Sequence, residues 1–203
     1  MRKIIFFGED NAHRKVIGAL IFRLAQEEGA VIKFVSECEI GGSVAENILK
    51  IYLRDVKKYR RDIPDLLVVV RDANRRGYSV RYREIENIVK NELKESTGNI
   101  ERVIAIPDPH IERWLLLDSE AFRIVVGRGC KAPKYNNDKG YYKKLLLDAI
   151  LEAGKPPPSL GGIEYAEDIV NAMDIQRVMR ADASFKKFVE DIRRILKQWK
   201  LLG

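Results

Sequence analysis

A mainly parallel α/β sheet with flanking helices and a C-terminal helical extension is the fold class this sequence predicts. Three observations predict it. The apolar runs at residues 4–7 and 66–70 are unbroken by polar residues, the pattern of strands covered on both faces. Segments with helical spacing alternate with these runs, as crossover helices do between parallel strands. After Pro107-Asp108-Pro109 the strand pattern stops and the remainder reads as helix.

The elements follow in order. The first strand, Ile4-Ile5-Phe6-Phe7, ends at Gly8-Glu9-Asp10. Val16, Ile17, Leu20, Ile21 and Leu24 then recur at helical spacing and mark one face of an amphipathic helix ending near Gly29. Residues 31–35 form a second strand. Gly41-Gly42-Ser43 breaks the chain, and Ser43 with Glu46 suits a capping box for a helix carrying Ile48, Leu49, Tyr52 and Val56. That helix ends in Lys57-Lys58-Tyr59-Arg60-Arg61. The strand at 66–70 comes next, then a helix over 79–95 and a strand over 103–106. Residues 110–117 read as a helix. Lys155-Pro156-Pro157-Pro158 is a stiff connector in the helical remainder, which Gly161-Gly162 also interrupts. The last helix, residues 183–201, gathers Phe185, Phe188, Val189, Ile192, Ile195 and Leu196 on one side. The division expected is an α/β domain over 1–130 with a helical extension over 131–203 packed on it.

The chain has 203 residues, 46% hydrophobic and 33% charged, enough for a core and a well-solvated surface. Its net charge of +7 favours an anionic partner, nucleic acid first, over a merely soluble basic surface. Cys38 and Cys130 are the only cysteines and form no Cys-x-x-Cys pair, which argues against a zinc cluster. The first apolar run is too short for a signal segment or a membrane span, so a cytoplasmic protein without membrane contact is expected.

Two acidic stations carry the chemistry. Glu9 and Asp10 close the first strand, and Asp72 with Asn74 closes the strand at 66–70. Ligands of parallel sheets bind beyond the carboxyl ends of the strands. If the two strands are neighbours, Glu9 and Asp72 meet at one edge and suit a hard divalent cation, Mg²⁺ or Mn²⁺. Such an ion polarises a phosphoryl oxygen and activates water. The plain alternatives are a helix-starting acid pair at Glu9-Asp10 and a turn acid at Asp72. Arg71, Arg75 and Arg76 flank Asp72 and suit phosphate contacts, or else keep a basic loop soluble. Lys57, Lys58, Arg60 and Arg61 read as surface.

A strand ending in Glu, with a later strand ending in Asp72-Ala73-Asn74, resembles the TOPRIM domain of type IA and type II topoisomerases, bacterial primases and nucleases of the overcoming-lysogenisation-defect type. The resemblance implies Glu9 as general acid or base and Asp72 as a Mg²⁺ ligand. Asn74 stands where the pattern has a second Asp, as a neutral oxygen ligand for the metal, so the site would be less acidic. The segment Glu112-Arg113-Trp114-Leu115-Leu116, after Pro107-Asp108-Pro109, is similar to one in a TOPRIM-like family of unknown function often encoded beside ATPases in mobile-element defence loci. Tyr165-Ala166-Glu167, Ala172-Met173-Asp174 and the segment from Ala183 to Phe188 extend the similarity. An ATPase partner and a role in defence are what this resemblance implies.

Glu112 either adds a carboxylate to the site or pairs with a neighbouring arginine. Asp108 follows the strand at 103–106 and either reaches the same edge as a ligand or serves as a turn acid. His110 is a phosphate contact or a cap, and Trp114 is core beneath the site. Other motifs fail. His110-Ile111-Glu112 lacks the Pro-Cys-x-x-Cys of zinc deaminases, and Gly41-Gly42-Ser43 lacks a Walker lysine. There is no Gly-x-Ser-x-Gly elbow. The expected function is a Mg²⁺-dependent nuclease or phosphodiesterase acting on nucleic acid. Its rivals are a non-catalytic subunit with a degenerate metal site and a hydrolase of small phosphate compounds.

Overall fold

A computed structural model of the chain describes residues 1–39, 47, 49–51, 53–54, 64–92 and 100–202. Its centre is a parallel sheet of four strands: β1 (Arg2–Gly8), β2 (Ile32–Glu39), β3 (Leu66–Val70) and β4 (Glu101–Ala105). The spatial order is β2-β1-β3-β4. β1 and β3 are therefore neighbours, with Ile4 opposite Leu66 and Phe7 opposite Val69. This register sets the ends of the two strands side by side.

The unbroken apolar runs have a direct cause. Ile4, Phe6, Leu66, Val68 and Val70 point into a large core shared with the first helix and the C-terminal helices. The alternate residues Ile5, Phe7, Leu67 and Val69 point into a second core with Leu49, Leu53, Ile85 and Val89. Side chains alternate along a strand, so a sheet covered on both faces must be apolar at every position.

α1 (Asn11–Glu28) follows β1 after a two-residue turn. Asp10 is its N-cap and accepts the His13 amide at 3.1 Å, satisfying one of the orphan donors of the first turn. Gly29 closes it in the left-handed region at φ 71°, where a side chain would be strained. α2 (Tyr78–Glu92) lies between β3 and β4 in the chain. The expected helix over 79–95 overlaps it as far as the described residues run. Residues 47, 49–51 and 53–54 are helical, while the Ser43–Glu46 cap and the basic run at 57–61 fall outside the described residues.

Beyond β4 come α3 (Ile111–Leu115), α4 (Ser119–Val126), α5 (Tyr141–Glu152), α6 (Ala166–Ala172), α7 (Ile175–Ala181) and α8 (Ala183–Leu202). The helix expected over 110–117 stops at Leu115, because Asp118 caps the next one by accepting the amides of Glu120 and Ala121. α8 packs against α1 and β4 with the apolar face read from the sequence, Phe185, Phe188, Val189, Ile192, Ile195 and Leu196, all buried. Among the described residues no helix is long and apolar enough to cross a membrane.

Trp114 is fully buried and ties α3 to α8. Its ring meets Phe185 edge-on at 5.1 Å and lies over Phe188 at 5.8 Å, and its Nε1 donates to Ser184 Oγ at 3.3 Å. Trp114→Ala should therefore cost about 3–5 kcal/mol of stability. Urea denaturation reads this directly, and a loss under about 1 kcal/mol would show that Trp114 does not anchor α3.

Candidate functional site

The carboxyl ends of β1 and β3 are where Asp72 is built in. Past β3 the chain continues beside the segment that follows β4. Arg71 donates its amide to the Ala105 carbonyl at 3.1 Å, Ala73 to Pro107 at 2.9 Å, and Asn74 to Pro109 at 3.0 Å. This extended pairing carries His110 and Ile111 to the Asp72 side chain. Asp72 Oδ1 accepts the Ile111 amide at 3.0 Å, and Oδ2 lies 3.2 Å from His110 Nδ1. From the other side, His13 in the first turn of α1 places Nε2 3.1 Å from Asp72 Oδ1. A buried ionised carboxylate costs several kcal/mol unless its lone pairs are met by donors. Two imidazoles and an amide meet them here.

His13 is itself held between two acids. Its Nδ1 lies 2.9 Å from Asp10 Oδ1, an ion pair off the line of a straight hydrogen bond, and its Nε2 faces Asp72. Burial alone would push the imidazole down, but the charge of Asp72, the contact with Asp10 and the bond to Asp72 raise it well above the ordinary histidine value. Asp72 moves the opposite way. Burial would raise it, yet the charge of His13 and the bonds from His110 and His13 hold it below the usual carboxylate range. Asp10 is held low for the same reason, burial being outweighed by its contacts with His13. His110 is raised, first by its bond to Asp72.

Glu9 completes the group. One ligand atom each from Glu9, His13 and Asp72 lies within 4.8 Å of the others, a spacing that fits one metal ion. Arg71 Nε sits 2.7 Å from Glu9 Oε1. Burial nevertheless pushes the Glu9 carboxyl up, as does the charge of Asp72, while His13, Arg71 and Arg81 pull the other way. A carboxyl raised in this manner suits proton transfer better than one held at the ordinary value.

Beside this group, Glu112 lines a hollow of about 210 Å³ with Asp10 and Lys143. The Lys143 ammonium lies 3.7 Å from Asp10 Oδ2 and 3.6 Å from Glu112 Oε1. Glu112 is buried, and desolvation with the charge of Asp72 raises its carboxyl. Among the described residues, Glu112 Oε2 and His110 Nε2 are buried with no hydrogen-bond partner. Polar atoms in that condition call for a bound group or a catalytic task.

The sequence-derived candidates are thus divided. Glu9 and Asp72 come together, and Glu112 borders them. Asn74 sits in the left-handed region at φ 51° and turns its amide back to the Asp72 carbonyl at 3.2 Å. The Asp108 carboxylate accepts the Tyr135 hydroxyl at 3.0 Å and stands outside the Glu9–His13–Asp72 group. Arg71 is drawn into the site by Glu9. Arg76 pairs with Glu84, and Arg75 is exposed, 4.0 Å from Asp138. Sequence reasoning passed over His13 and Lys143. The signal for His13 was its place on the buried stripe His13, Val16, Ile17, Leu20, one turn from a strand-end acid.

Residues 9–193 match a family described as a domain of unknown function, DUF4276. The chain belongs to that family. No curated protein and no solved structure matches it. The matched span contains Glu9, His13, Asp72, Glu112 and Lys143.

The sign of the pH dependence follows from the directions. His13 is raised on folding, so its contribution to stability is full below the unfolded value of about 6.5 and is lost as pH rises through the raised value. Asp72 is lowered, so its contribution is present above about 4 and is lost as acid takes pH down through the lowered value. Histidine-selective NMR titration should find His13 still an imidazolium above pH ~6.5, and Asp72→Asn should bring its midpoint down. A wild-type midpoint below the ordinary value would contradict the bridged geometry.

Proposed function

We propose that the chain is a divalent-metal-dependent phosphodiesterase acting on nucleic acid, a nuclease of TOPRIM-like type. The observation that carries this reading is the meeting of Glu9, His13 and Asp72 at the carboxyl edge of two adjacent parallel strands. Two carboxylates and one imidazole fit a divalent ion, and Mg²⁺ needs no more than one or two carboxylates when a phosphate and waters complete its shell. The imidazole widens the choice toward Mn²⁺, since nitrogen ligands suit transition metals better than Mg²⁺. When bound, the ion supplies Lewis-acid polarisation of the phosphoryl oxygen and acidifies a water.

The remaining roles belong to side chains. Asp72 is the principal anchor, fixed by His110 and Ile111 so that one geometry persists. Glu9 is either a second carboxylate for the ion or the group that takes or gives the proton at the attacking or leaving oxygen. Arg71 and Lys143 stand beside the acids and neutralise a phosphate entering between them. His13 would hold the ion through a ring nitrogen freed of its proton, so metal affinity would depend on pH. The +7 net charge supports a polyanionic substrate, and the TOPRIM resemblance supports the same chemistry.

A second reading has its own support. The acids of the site already face cations: Glu9 faces Arg71, Asp72 faces His13 and His110, and Asp10 and Glu112 face Lys143. A site neutralised from within, with Asn74 at the second acidic position, suits a non-catalytic nucleic-acid-binding subunit of an ATPase-containing complex.

Supercoiled plasmid incubated with Mn²⁺ or Mg²⁺ separates the two. Nicking that needs the metal and falls to background in Asp72→Ala, with the variant's circular dichroism unchanged, is expected. Metal-dependent nicking that survives in Asp72→Ala would place the chemistry elsewhere, and no nicking by folded wild type would favour the binding subunit.

A further inference from the structure

α1 contains a glycine with no packing reason. Gly18 lies mid-helix, where glycine costs roughly 0.5–1 kcal/mol relative to alanine. Among the described residues, a Cβ at this position would meet nothing within 4 Å. Neither crowding nor a positive φ requires it. What it does is leave open the floor of a groove of about 290 Å³ between α1 and α6.

The walls of that groove have a consistent chemistry. Arg14 and Lys15 stand at the end nearer the site. Phe22, 52% exposed, stands at the other end, its ring edge-on to Phe34 at 5.2 Å. Glu167 and Asn171, one helical turn apart on α6, provide acceptors on the opposite wall. The walls are fixed, because Arg23 of α1 donates to the Val170 and Met173 carbonyls at 2.5 and 2.6 Å. The groove also adjoins the hollow beside Glu112. Asn11 and Ile163 line the hollow, while Arg14 and Glu164 line the groove, and Arg14 Nη2 donates to Asn11 Oδ1 at 3.4 Å.

We propose that this groove holds an unpaired base of a single-stranded nucleic acid whose backbone runs on to the Glu9–Asp72 site. A base stacks on the exposed Phe22 ring, which every base can do through its π-face. Its amino or imino edge donates to Glu167 and Asn171, and the neighbouring phosphates lie on Arg14 and Lys15. A base paired within a duplex has both faces stacked and its edge engaged, so it cannot enter. The proposal rests on the nuclease reading for the direction of the strand, but its binding test does not.

The test measures binding of a fluorescein-labelled mixed-sequence single strand and its duplex by fluorescence anisotropy, without metal. Phe22→Ala should weaken single-strand binding about tenfold and leave duplex binding unchanged, while Arg14→Glu/Lys15→Glu should weaken single-strand binding by at least as much and lower its salt dependence. Gly18→Leu should fill the floor and weaken strand binding as much, while its melting temperature equals or exceeds that of wild type. Phe22→Trp should show indole emission quenched by the strand, against the two buried native tryptophans, Trp114 and Trp199. Wild-type affinity in folded Gly18→Leu or Phe22→Ala, or an unquenched Trp at saturating strand, would overturn the groove. Absent metal-dependent cleavage of both plasmid and the single strand, with these losses intact, would instead overturn the nuclease reading alone.

Discussion

The burial of one ionised carboxylate, Asp72, is the constraint on which the site depends. It is only 7% exposed, at the end of a strand that is itself wholly buried. Such a charge persists only where donors replace water. The donors come from three places: the first turn of α1, the residue before α3, and the first amide of α3. Supplying them fixes how the end of β3, the start of α1 and the segment after β4 sit relative to each other. Stability and site geometry are therefore the same interactions.

The sheet and the C-terminal helices serve that arrangement. Parallel pairing of β1 with β3 sets Glu9 and Asp72 at one edge, and pairing of β3 with β4 extends beyond the strands to deliver His110. Trp114, two residues from Glu112 on a helix of only five residues, locks α3 onto α8. A helix that short is not stable alone, so its orientation is borrowed from the core. The Arg113–Asp182 pair adds a second tie between α3 and the start of α8. The C-terminal helices thus hold the fragment that carries Glu112 and caps Asp72.

Much of this was legible in the sequence, for physical reasons that can be named. Strands covered on both faces must be apolar throughout, so residues 4–7 and 66–70 announced themselves. The acids Glu9 and Asp72 stood out because each closes such a run. Their meeting required β1 and β3 to be neighbours, and strand order is a property of the whole sheet that no local pattern prints. His13 was obscured because its spacing with Val16, Ile17 and Leu20 is that of an ordinary core position. Lys143 was hidden because its contact with Asp10 and Glu112 depends on how α5 packs. Asp108 also follows a strand end, and its carboxylate accepts the Tyr135 hydroxyl outside the Glu9–His13–Asp72 group. The break after Leu115 was readable in principle, since Asp118 followed by Ser119-Glu120 is a helix-start pattern.

If Asp72 organises a metal site in which His13 exchanges a proton for the ion, metal binding and proton release must be coupled. Calorimetric titration of Mn²⁺ at neutral pH, repeated in buffers of different ionisation enthalpy, counts the protons directly. Release of about one proton per ion bound is expected for wild type, with both binding and release lost in Asp72→Asn. Binding heat that is the same in every buffer, or undiminished in the variant, would contradict a site built on Asp72 and His13.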